Sequence, residues 1–306
     1  MNGLFNIDKP AGMTSHDVVN VMRRLTHIRR IGHTGTLDPM ATGVLIILVG
    51  PATRLSRFLM GKNKKYRAVI RLGQTTTTYD AEGELVKQRP VTVDKAELEQ
   101  ALAAFQGEIL QIPPMYSAIK VNGKPLYKLA HQGKEIARTP RHVTIHSVIL
   151  TDWQPPDLTV EVACSAGTYI RSLAYDLGEA LGCGAHLTAL TRTASGHFDL
   201  AESVSLDTLR ELEKDGHLEE MLLPPQTALT LPSIRLTPEQ VQAVCYGQTI
   251  SLDDAPAVPE LQATDAVGQL IAVLIPVEEG QWRPNLVLVQ EQTQNTRQGA
   301  GNAEPS

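Results

Sequence analysis

A segment rich in glycine and threonine reads Gly32-His33-Thr34-Gly35-Thr36-Leu37-Asp38-Pro39-Met40-Ala41-Thr42-Gly43, and it runs directly into Val44-Leu45-Ile46-Ile47-Leu48-Val49. The apolar run predicts a buried strand, whereas the glycines before it permit unusual backbone angles and close approach of other atoms. Asp38 is the acidic residue of this segment, and a strand just after it would hold it on a rigid platform. Asp38 is therefore a candidate reactive group. The alternative, an Asp-Pro pair that only forms a turn, stays open at this point.

Length and composition indicate a globular protein of two domains. The chain has 306 residues, of which 42% are hydrophobic and 20% are charged. The aliphatic run at residues 44–49 is too short to cross a bilayer, and the first residues lack the pattern of a secretory signal. We therefore expect a cytoplasmic protein with no membrane partner. Three widely spaced cysteines predict small buried side chains rather than disulfides or a metal site.

Charge is distributed unevenly, although the formal net charge is −5. Residues 1–150 carry 21 Lys and Arg against 11 Asp and Glu, whereas residues 151–306 carry 7 against 22. Such asymmetry is typical of a chain in which one part binds a polyanion, but a solvated basic face explains the charge equally well. Residues 113–142 mix basic residues with two tyrosines and show little apolar periodicity, which favours a mobile basic lobe over a core element; a surface hairpin without a partner is the alternative.

Periodic patterns predict the elements around the Asp38 segment. A short strand ends near Lys9, and Thr14 or Ser15 caps the helix that follows. Alternating residues from Tyr66 onward predict a half-buried strand. A later helix, with Thr168 as its predicted cap, has Arg171 in its first turn. Because a cation gains nothing from the helix dipole there, we expect a carboxylate close to this arginine.

Several common active-site motifs do not occur in the sequence. These are the Gly-Lys-Ser/Thr phosphate loop, the His-Glu-x-x-His zinc motif, the Gly-x-Ser-x-Gly nucleophile motif and the dinucleotide fingerprint. The nine histidines also lack the spacing of metal ligands. We therefore expect neither a cofactor nor a metal site.

The segment around Asp38 resembles the catalytic motif of the TruB-type tRNA pseudouridine synthases. Further blocks resemble that family in the same order: Lys9-Pro10-Ala11-Gly12-Met13-Thr14-Ser15, Lys65-Tyr66-Arg67, Gly167-Thr168-Tyr169-Ile170-Arg171, Asp176-Leu177-Gly178 and Gly182-Cys183-Gly184-Ala185-His186-Leu187. The resemblance covers roughly residues 3–200, and several linked motifs are far more specific than any one of them.

The resemblance implies an α/β (α+β) fold. A catalytic domain over residues 1–223 would have a mixed, largely antiparallel sheet and a basic RNA-binding insertion at residues 113–142. A small PUA-like β module would follow at residues 232–290, and we expect a disordered tail at residues 291–306.

The family's reaction converts uridine 55, in the T loop of tRNA, into its C-glycoside isomer after base flipping and without a cofactor. We therefore expect a monomeric isomerase whose partner is the T arm of tRNA, with a tRNA-folding chaperone role as an addition. One competing hypothesis is a non-catalytic RNA-binding protein or chaperone with the same fold. Another is a pseudouridine synthase that acts on other RNA.

The resemblance also implies roles for individual residues. Asp38 corresponds to the essential acid, Arg171 to the arginine that pairs with it, and Tyr66 to the tyrosine that stacks on the target base. The others implied for the site are Tyr169 and Leu190, which line the base pocket, and His33, which moves in beside the flipped base. Predicted phosphate contacts are Lys9, Lys64, Lys65, Lys120, Lys128 and Arg141. From the residues alone, ordinary packing or a structural histidine is the alternative for the pocket residues.

Overall fold

The computed structural model describes residues 1–117, 119–121, 123–130, 132–133 and 136–288, with only the main chain described at residues 120, 121, 125, 127 and 128. The predicted disordered tail at residues 291–306 lies outside this range. The described residues form two compact units, which divide between residues 228 and 229. None of the described helices is long and apolar enough to cross a membrane.

The first unit contains fourteen strands and six helices among the described residues. In chain order they are β1 (Gly3–Lys9), α1 (Ser15–Thr26), β2 (Ile31–His33), β3 (Thr42–Val49), α2 (Ser56–Met60), β4 (Lys64–Leu72), β5 (Gln74–Thr76), β6 (Leu85–Gln88), α3 (Lys95–Ala104), β7 (Gly107–Gln111), β8 (Lys120–Val121), β9 (Lys124–Pro125), α4 (Leu126–Ala130), β10 (Arg141–Gln154), β11 (Asp157–Cys164), α5 (Ile170–Ala180), β12 (Ala185–Ser195), β13 (Phe198–Asp199), β14 (Val204–Ser205) and α6 (Leu206–Lys214). Four short 3-10 helices cover Gly50–Leu55, Leu200–Glu202, Leu218–Met221 and Pro225–Ala228.

Ten strands of the first unit form one sheet, which is mixed and largely antiparallel. Its order is β14-β1-β3-β12-β4-β11-β10-β7, with β2 paired to β3 and β13 paired to β12. The β1–β14 and β3–β12 pairs are parallel, and the other pairs are antiparallel. The predicted fold class of this unit is therefore confirmed. The parallel β3–β12 pair joins the strand that follows Asp38 to strands much later in the chain, so it brings distant parts of the sequence close to Asp38.

The apolar run at residues 44–49 lies inside this sheet. Each of its side chains is at most 1% exposed, so the prediction of a buried strand is confirmed. Apolar residues of α1, α3, α5 and α6 belong to the same buried cluster as those of β1, β3, β4, β11 and β12. Burial of these apolar side chains stabilises the sheet on which the polar Asp38 loop rests.

The two helices that flank the site begin differently. Thr14, one of the two residues predicted to cap α1, is its N-cap residue. Its hydroxyl accepts a hydrogen bond from the Asp17 N–H at 3.1 Å. The predicted cap of α5 is wrong, since the Thr168 hydroxyl donates to the Ser165 carbonyl instead. Tyr169 is the N-cap residue there, and its main chain is bound by the side-chain amide of Gln111. The Gln111 side chain, 58 positions away in sequence, thus fixes the main chain at the start of α5, where the N-cap residue makes no side-chain capping bond.

Gly178 allows α5 to lie directly against the start of β12. A Cβ atom at this position would lie 2.0 Å from the Ala185 nitrogen, which is main chain and cannot rotate away. Replacing a glycine inside an exposed helix with alanine usually stabilises a protein by about 1 kcal/mol. We expect Gly178→Ala to lower the free energy of unfolding by about 3 kcal/mol instead, because the helix must move.

Urea unfolding followed by circular dichroism measures this free energy. Gly61→Ala is the matched control, because no heavy atom lies within 4 Å of the Cβ that it would add. Equal stability of the two variants would contradict the packing argument.

The second unit is a small β-rich module with one described helix. Its elements are β15 (Ser233–Arg235), α7 (Pro238–Cys245), β16 (Ile250–Ser251), β17 (Leu261–Thr264), β18 (Leu270–Glu278) and β19 (Gln281–Val287). The strands form one sheet in the order β15-β17-β18-β19-β16 around a separate apolar core that includes Val244, Leu274 and Trp282. A small C-terminal β module is therefore present, as the sequence predicts.

Candidate active site

The loop that carries Asp38 is fixed by hydrogen bonds from segments distant in sequence. The Ser15 hydroxyl, at the start of α1, accepts from the Leu37 N–H at 2.8 Å. The Gly12 N–H donates to the Pro39 carbonyl at 2.8 Å. Asp38 thus lies between two residues whose main chain is held, so its carboxylate is rigidly placed although it belongs to a loop.

Lys9 is part of the support of this loop. Its side chain is 0% exposed, and its Nζ donates to the carbonyls of Pro10, Met13 and Pro39 at 2.8, 2.6 and 3.2 Å. Burial lowers the pKa of Lys9 to about 8. The structure contradicts the predicted phosphate contact of Lys9, because this ammonium group binds the turn after β1 to the Asp38 loop.

Strand register brings Tyr66 to the Asp38 loop. Gly43 of β3 lies opposite Arg192 of β12, and Arg192 in turn lies opposite Tyr66 of β4. The approach of β3 to β12 requires glycine, because a Cβ at Gly43 would lie 2.3 Å from the Arg192 carbonyl oxygen and its φ is +97°. Gly43, Arg192 and Tyr66 therefore form one row across the sheet. Because Gly43 is only five positions after Asp38, this row lies next to the Asp38 loop.

Arg171 pairs with Asp38, as the first-turn position of this arginine predicts. Its Nη2 lies 2.9 Å from Asp38 Oδ1. The arginine side chain is only 4% exposed, whereas the aspartate side chain is 31% exposed. The pair is therefore buried on the arginine side and open on the carboxylate side, where a substrate could approach.

Asp80 is a second acid on the same arginine, and the sequence prediction missed it. Its Oδ2 lies 3.5 Å from Arg171 Nη1, and its side chain is 4% exposed. Arg171 also donates to the carbonyls of Thr78 at 3.2 Å and Tyr116 at 2.8 Å. All of these partners lie far from Arg171 in sequence, in a Thr-rich loop without periodicity and at the start of the basic insertion. The sequence predicts one carboxylate beside Arg171, and the structure places two there, those of Asp38 and Asp80.

The electrostatics of the site follow from this shared arginine. Burial raises the pKa of Asp38, and the charge of Asp80 raises it further, whereas Arg171 and Lys9 act in the opposite direction. Burial also raises the pKa of Glu82, and the charges of Asp80 and Asp38 add to that rise. Burial makes the ionised Asp38 carboxylate more basic than a surface aspartate, and the charge of Arg171 opposes its protonation.

Tyr66 faces this site from β4 and has a buried cation beside it. Burial raises the pKa of its phenol, whereas the charge of Arg192 lowers it. Arg192 is 2% exposed, and its Nε and Nη2 donate to the carbonyls of Val44 and Gly35 at 2.7 and 3.2 Å. The sequence prediction missed Arg192 too, although an arginine within an apolar strand is a visible signal of a buried polar function.

The other predicted pocket residues occupy suitable elements. Tyr169 is half-buried at the start of α5, two residues before Arg171, and Leu190 is buried on β12, two residues before Arg192. His33 ends β2 and is half-buried, and its Nδ1 has no hydrogen-bond partner among the described residues. Burial lowers the pKa of His33, so its imidazole is neutral near pH 7. Their roles toward a base stay predictions.

Besides Lys9, the predicted phosphate contacts fall into three groups. Lys64 is 6% exposed and its Nζ donates to the carbonyls of Met60 and Lys62, so the structure contradicts a phosphate contact for it. Lys65 and Arg141 are exposed and remain candidates. The side chains of Lys120 and Lys128 lie outside the described part of the chain.

Metal ligands do not gather in the part of the chain that the structure describes. No three His, Cys, Asp or Glu side chains come close enough there to hold an ion.

Two family models match the chain and meet without a gap. One is described as TruB family pseudouridylate synthase (N terminal domain) and matches residues 23–170. The other is described as tRNA pseudouridylate synthase B C-terminal domain and matches residues 171–230. The match boundary falls at Arg171, so the Asp38–Arg171 pair joins the two matched regions.

Individual proteins match over most of their length. A tRNA pseudouridine synthase B of Pseudomonas aeruginosa is 42% identical over 292 residues, which is 94% of this chain and 96% of that one. One from Actinobacillus pleuropneumoniae is 46% identical over 258 residues, covering 83% and 85%. A solved structure of an H/ACA RNP bound to a substrate RNA containing 2'-deoxyuridine matches with a TM-score of 0.72 at 24% identity, covering 95% of this chain and 86% of that one. The last similarity shows a shared fold.

Proposed function

Because the chain belongs to the TruB family of pseudouridylate synthases, we propose that it converts uridine 55 in the T loop of cytoplasmic tRNA into pseudouridine. The family makes it an isomerase, a tRNA pseudouridine synthase. The position in the T loop, the T arm as the contacted part and action as a monomer are the proposed details. The observation that carries the proposal is a rigid, partly open Asp38 carboxylate paired with a buried Arg171 beside Tyr66.

The reaction needs an ionised carboxylate at the junction of ribose and base. The bond from C1' to N1 breaks, the base turns, and a bond from C1' to C5 forms. C5 gives up a proton and N1 gains one, so atoms and electrons balance without a cofactor. Asp38 serves as nucleophile or as base in this sequence, with Arg171 keeping it ionised. The uridine must leave the folded loop first, at a cost of a few kcal/mol.

Side chains around the carboxylate suit a flipped uracil. Tyr66 offers an aromatic face, and stacking on such a face is worth about 1–3 kcal/mol per base, which offsets part of the unstacking cost. The neutral imidazole ring of His33 can stack beside the base, and its Nδ1, which has no hydrogen-bond partner among the described residues, can accept a hydrogen bond. Tyr169 and Leu190 complete the proposed pocket wall.

The first unit is the proposed RNA-binding part. Arg141 is exposed and lies opposite Gln111, whose side chain binds the main chain of Tyr169, so Arg141 lies near the start of α5. Residues 229–288 of the second unit carry 7 Asp and Glu against 2 Lys and Arg. An acidic module repels phosphates, so we propose that phosphate contacts come from the first unit.

The test of the proposed function uses two tRNA transcripts labelled with tritium at carbon 5 of uridine. They are identical except that one carries cytidine at position 55. We expect release of one tritium per tRNA from the first and none from the second, with pseudouridine mapped at position 55. Equal release from both transcripts would overturn the proposed position, and binding without release from either would support a non-catalytic RNA-binding protein.

Arg141→Ala is expected to weaken tRNA binding rather than chemistry. Loss of one phosphate contact should lower affinity severalfold and reduce the slope of log K against log salt by about 1. We expect kcat at saturating tRNA to stay unchanged. Filter binding at several salt concentrations measures affinity, and Lys214→Ala, an exposed lysine of α6, is the control. A lower kcat with unchanged affinity would count against a phosphate contact.

The chaperone role stays a prediction and has its own measurement. If this role exists, an Asp38→Asn protein that binds tRNA without turnover should still accelerate folding of an unmodified transcript. Acceleration that disappears together with turnover would assign any folding effect to the modification itself.

A further inference from the structure

Tyr79 combines two unusual features. Its φ of 64° lies in the left-handed region, where a bulky side chain is strained. Its ring stacks on the ring of Tyr175, with centroids 4.1 Å apart and planes inclined by 21°. A strained backbone persists only where surrounding contacts hold it, and such residues gather at functional sites.

The neighbours of Tyr79 on both sides bind the arginine of the site. The Thr78 carbonyl accepts from Arg171 Nη1 at 3.2 Å, and Asp80 Oδ2 lies 3.5 Å from the same nitrogen. Arg171 and Tyr175 are four residues apart on α5, so they lie on the same face of that helix. Residues 78–80 therefore meet α5 at two points, one polar and one aromatic.

Other contacts make residues 78–80 a rigid unit. The Thr78 hydroxyl donates to Asp80 Oδ1, and the Glu82 N–H donates to the same oxygen at 3.1 Å. The Tyr79 carbonyl accepts from the Leu187 N–H at 3.0 Å. The Asp80 carboxylate is therefore bound to the residue before Tyr79, and the Tyr79 main chain is bound to β12.

We propose that the Tyr79–Tyr175 stack holds residues 78–80 against α5 and thereby aims the Arg171 guanidinium at Asp38. Residues 78–80 hold Nη1, while Nη2 donates to Asp38 at 2.9 Å. The guanidinium is planar, so the position of the first nitrogen sets the direction of the second. Tyr79 and Tyr175 act through Asp80 and Arg171, and they are positioning residues. The inference rests on the proposed function, because it concerns the same site.

The experiment compares loss of each ring with retention of its stacking surface. Tyr175→Leu and Tyr79→Asn remove the stack, and asparagine tolerates the left-handed backbone that Tyr79 adopts. Tyr175→Phe and Tyr79→Phe retain it. We expect the ring-deleting variants to lower kcat about tenfold, since misplacement by a fraction of an ångström impairs an aligned site. The KM for tRNA should stay within about twofold, and both Phe variants should match the unmodified enzyme.

An Asp80→Asn background tests the route of the effect. If the stack acts through Asp80, Tyr175→Leu should have no further effect on kcat in this background, as coupled residues are not additive. A full additional loss would overturn the inference, as would an unchanged kcat in both ring-deleting variants. A change confined to KM or to thermal stability would also overturn it, because it would indicate a purely structural stack.

A readout without turnover separates this inference from the proposed function. Nitrogen-15 NMR should resolve distinct Nη1 and Nη2 signals for the held Arg171 guanidinium in the unmodified protein and in Tyr175→Phe. Tyr175→Leu should merge them through rotation about the Nε–Cζ bond. If the unmodified protein is inactive, only the proposed function is overturned. If the Nη1 and Nη2 signals stay distinct in Tyr175→Leu, only the positioning role is overturned.

Discussion

Asp38→Asn is expected to abolish pseudouridine formation, lowering kcat by about 10⁴-fold or more, as loss of a central reactive group does in other enzymes. Asparagine has nearly the same shape and can still accept a hydrogen bond from Arg171 Nη2, so the loop should keep its structure. It cannot ionise, and it can act neither as a nucleophile nor as a base. Tritium release from labelled tRNA measures the effect directly. Asp152→Asn, a change of the same kind at an exposed surface position, is the control.

The stability of Asp38→Asn should distinguish lost chemistry from lost folding. Burial raises the pKa of Asp38, so ionising this carboxyl group costs more free energy in the folded protein than in the unfolded chain, although Arg171 offsets part of that cost. Above the pKa of an unfolded aspartate, the asparagine variant should therefore be at least as stable as the unmodified protein. Thermal unfolding near pH 7 checks this. Turnover that survives in the variant would overturn the catalytic role, and a large loss of stability would make the kinetic comparison uninformative about chemistry.

The Asp38–Arg171 pair could be anticipated from sequence because each residue carries a local signal. Asp38 precedes an unmistakable buried strand, and Arg171 occupies a helix start that disfavours a cation. Each signal stays local even though 133 positions separate the two residues. Asp80 carries no such signal, because it lies in a loop whose course is set by contacts with Arg171 and Leu187. Its place at the site follows from tertiary structure alone.

The two lysine predictions that the structure contradicts share one physical cause. Lys9 lies on the same strand face as Phe5 and Ile7, and Lys64 lies on the same face as Tyr66 and Ala68. The period of two places both lysines on the buried face of their strands, and this placement outweighs the positive charge that suggests a phosphate contact. The same alternation correctly leaves Lys65 exposed. What the sequence could not supply was the set of main-chain carbonyls that receive the buried ammonium groups.

Arg171→Lys tests the second large effect, because it keeps the charge and removes the planar fork. The guanidinium binds Asp38 and Tyr116 through Nη2 and Thr78 through Nη1, and one ammonium group cannot reach all three in that geometry. We expect kcat to fall about 100-fold or more, as for loss of a fixed electrostatic donor. The KM for tRNA should change little, because the side chain is 4% exposed and lies beneath the carboxylate. Arg71→Lys, the same change in the exposed Arg71–Asp157 pair, is the control.

The pH dependence of Arg171→Gln tests whether Arg171 lowers the pKa of Asp38. Arg171 lowers the pKa of Asp38 against the rise caused by burial, so removal of the positive charge should raise that pKa. Activity requires the ionised carboxylate, is present above this pKa and falls as the pH drops through it. The acid limb of kcat/KM should therefore move to higher pH in Arg171→Gln and less in Arg171→Lys, which retains a cation. An acid limb that stays in place in both variants would mean that Arg171 does not control ionisation of Asp38, and its role would reduce to holding the loops around the carboxylate.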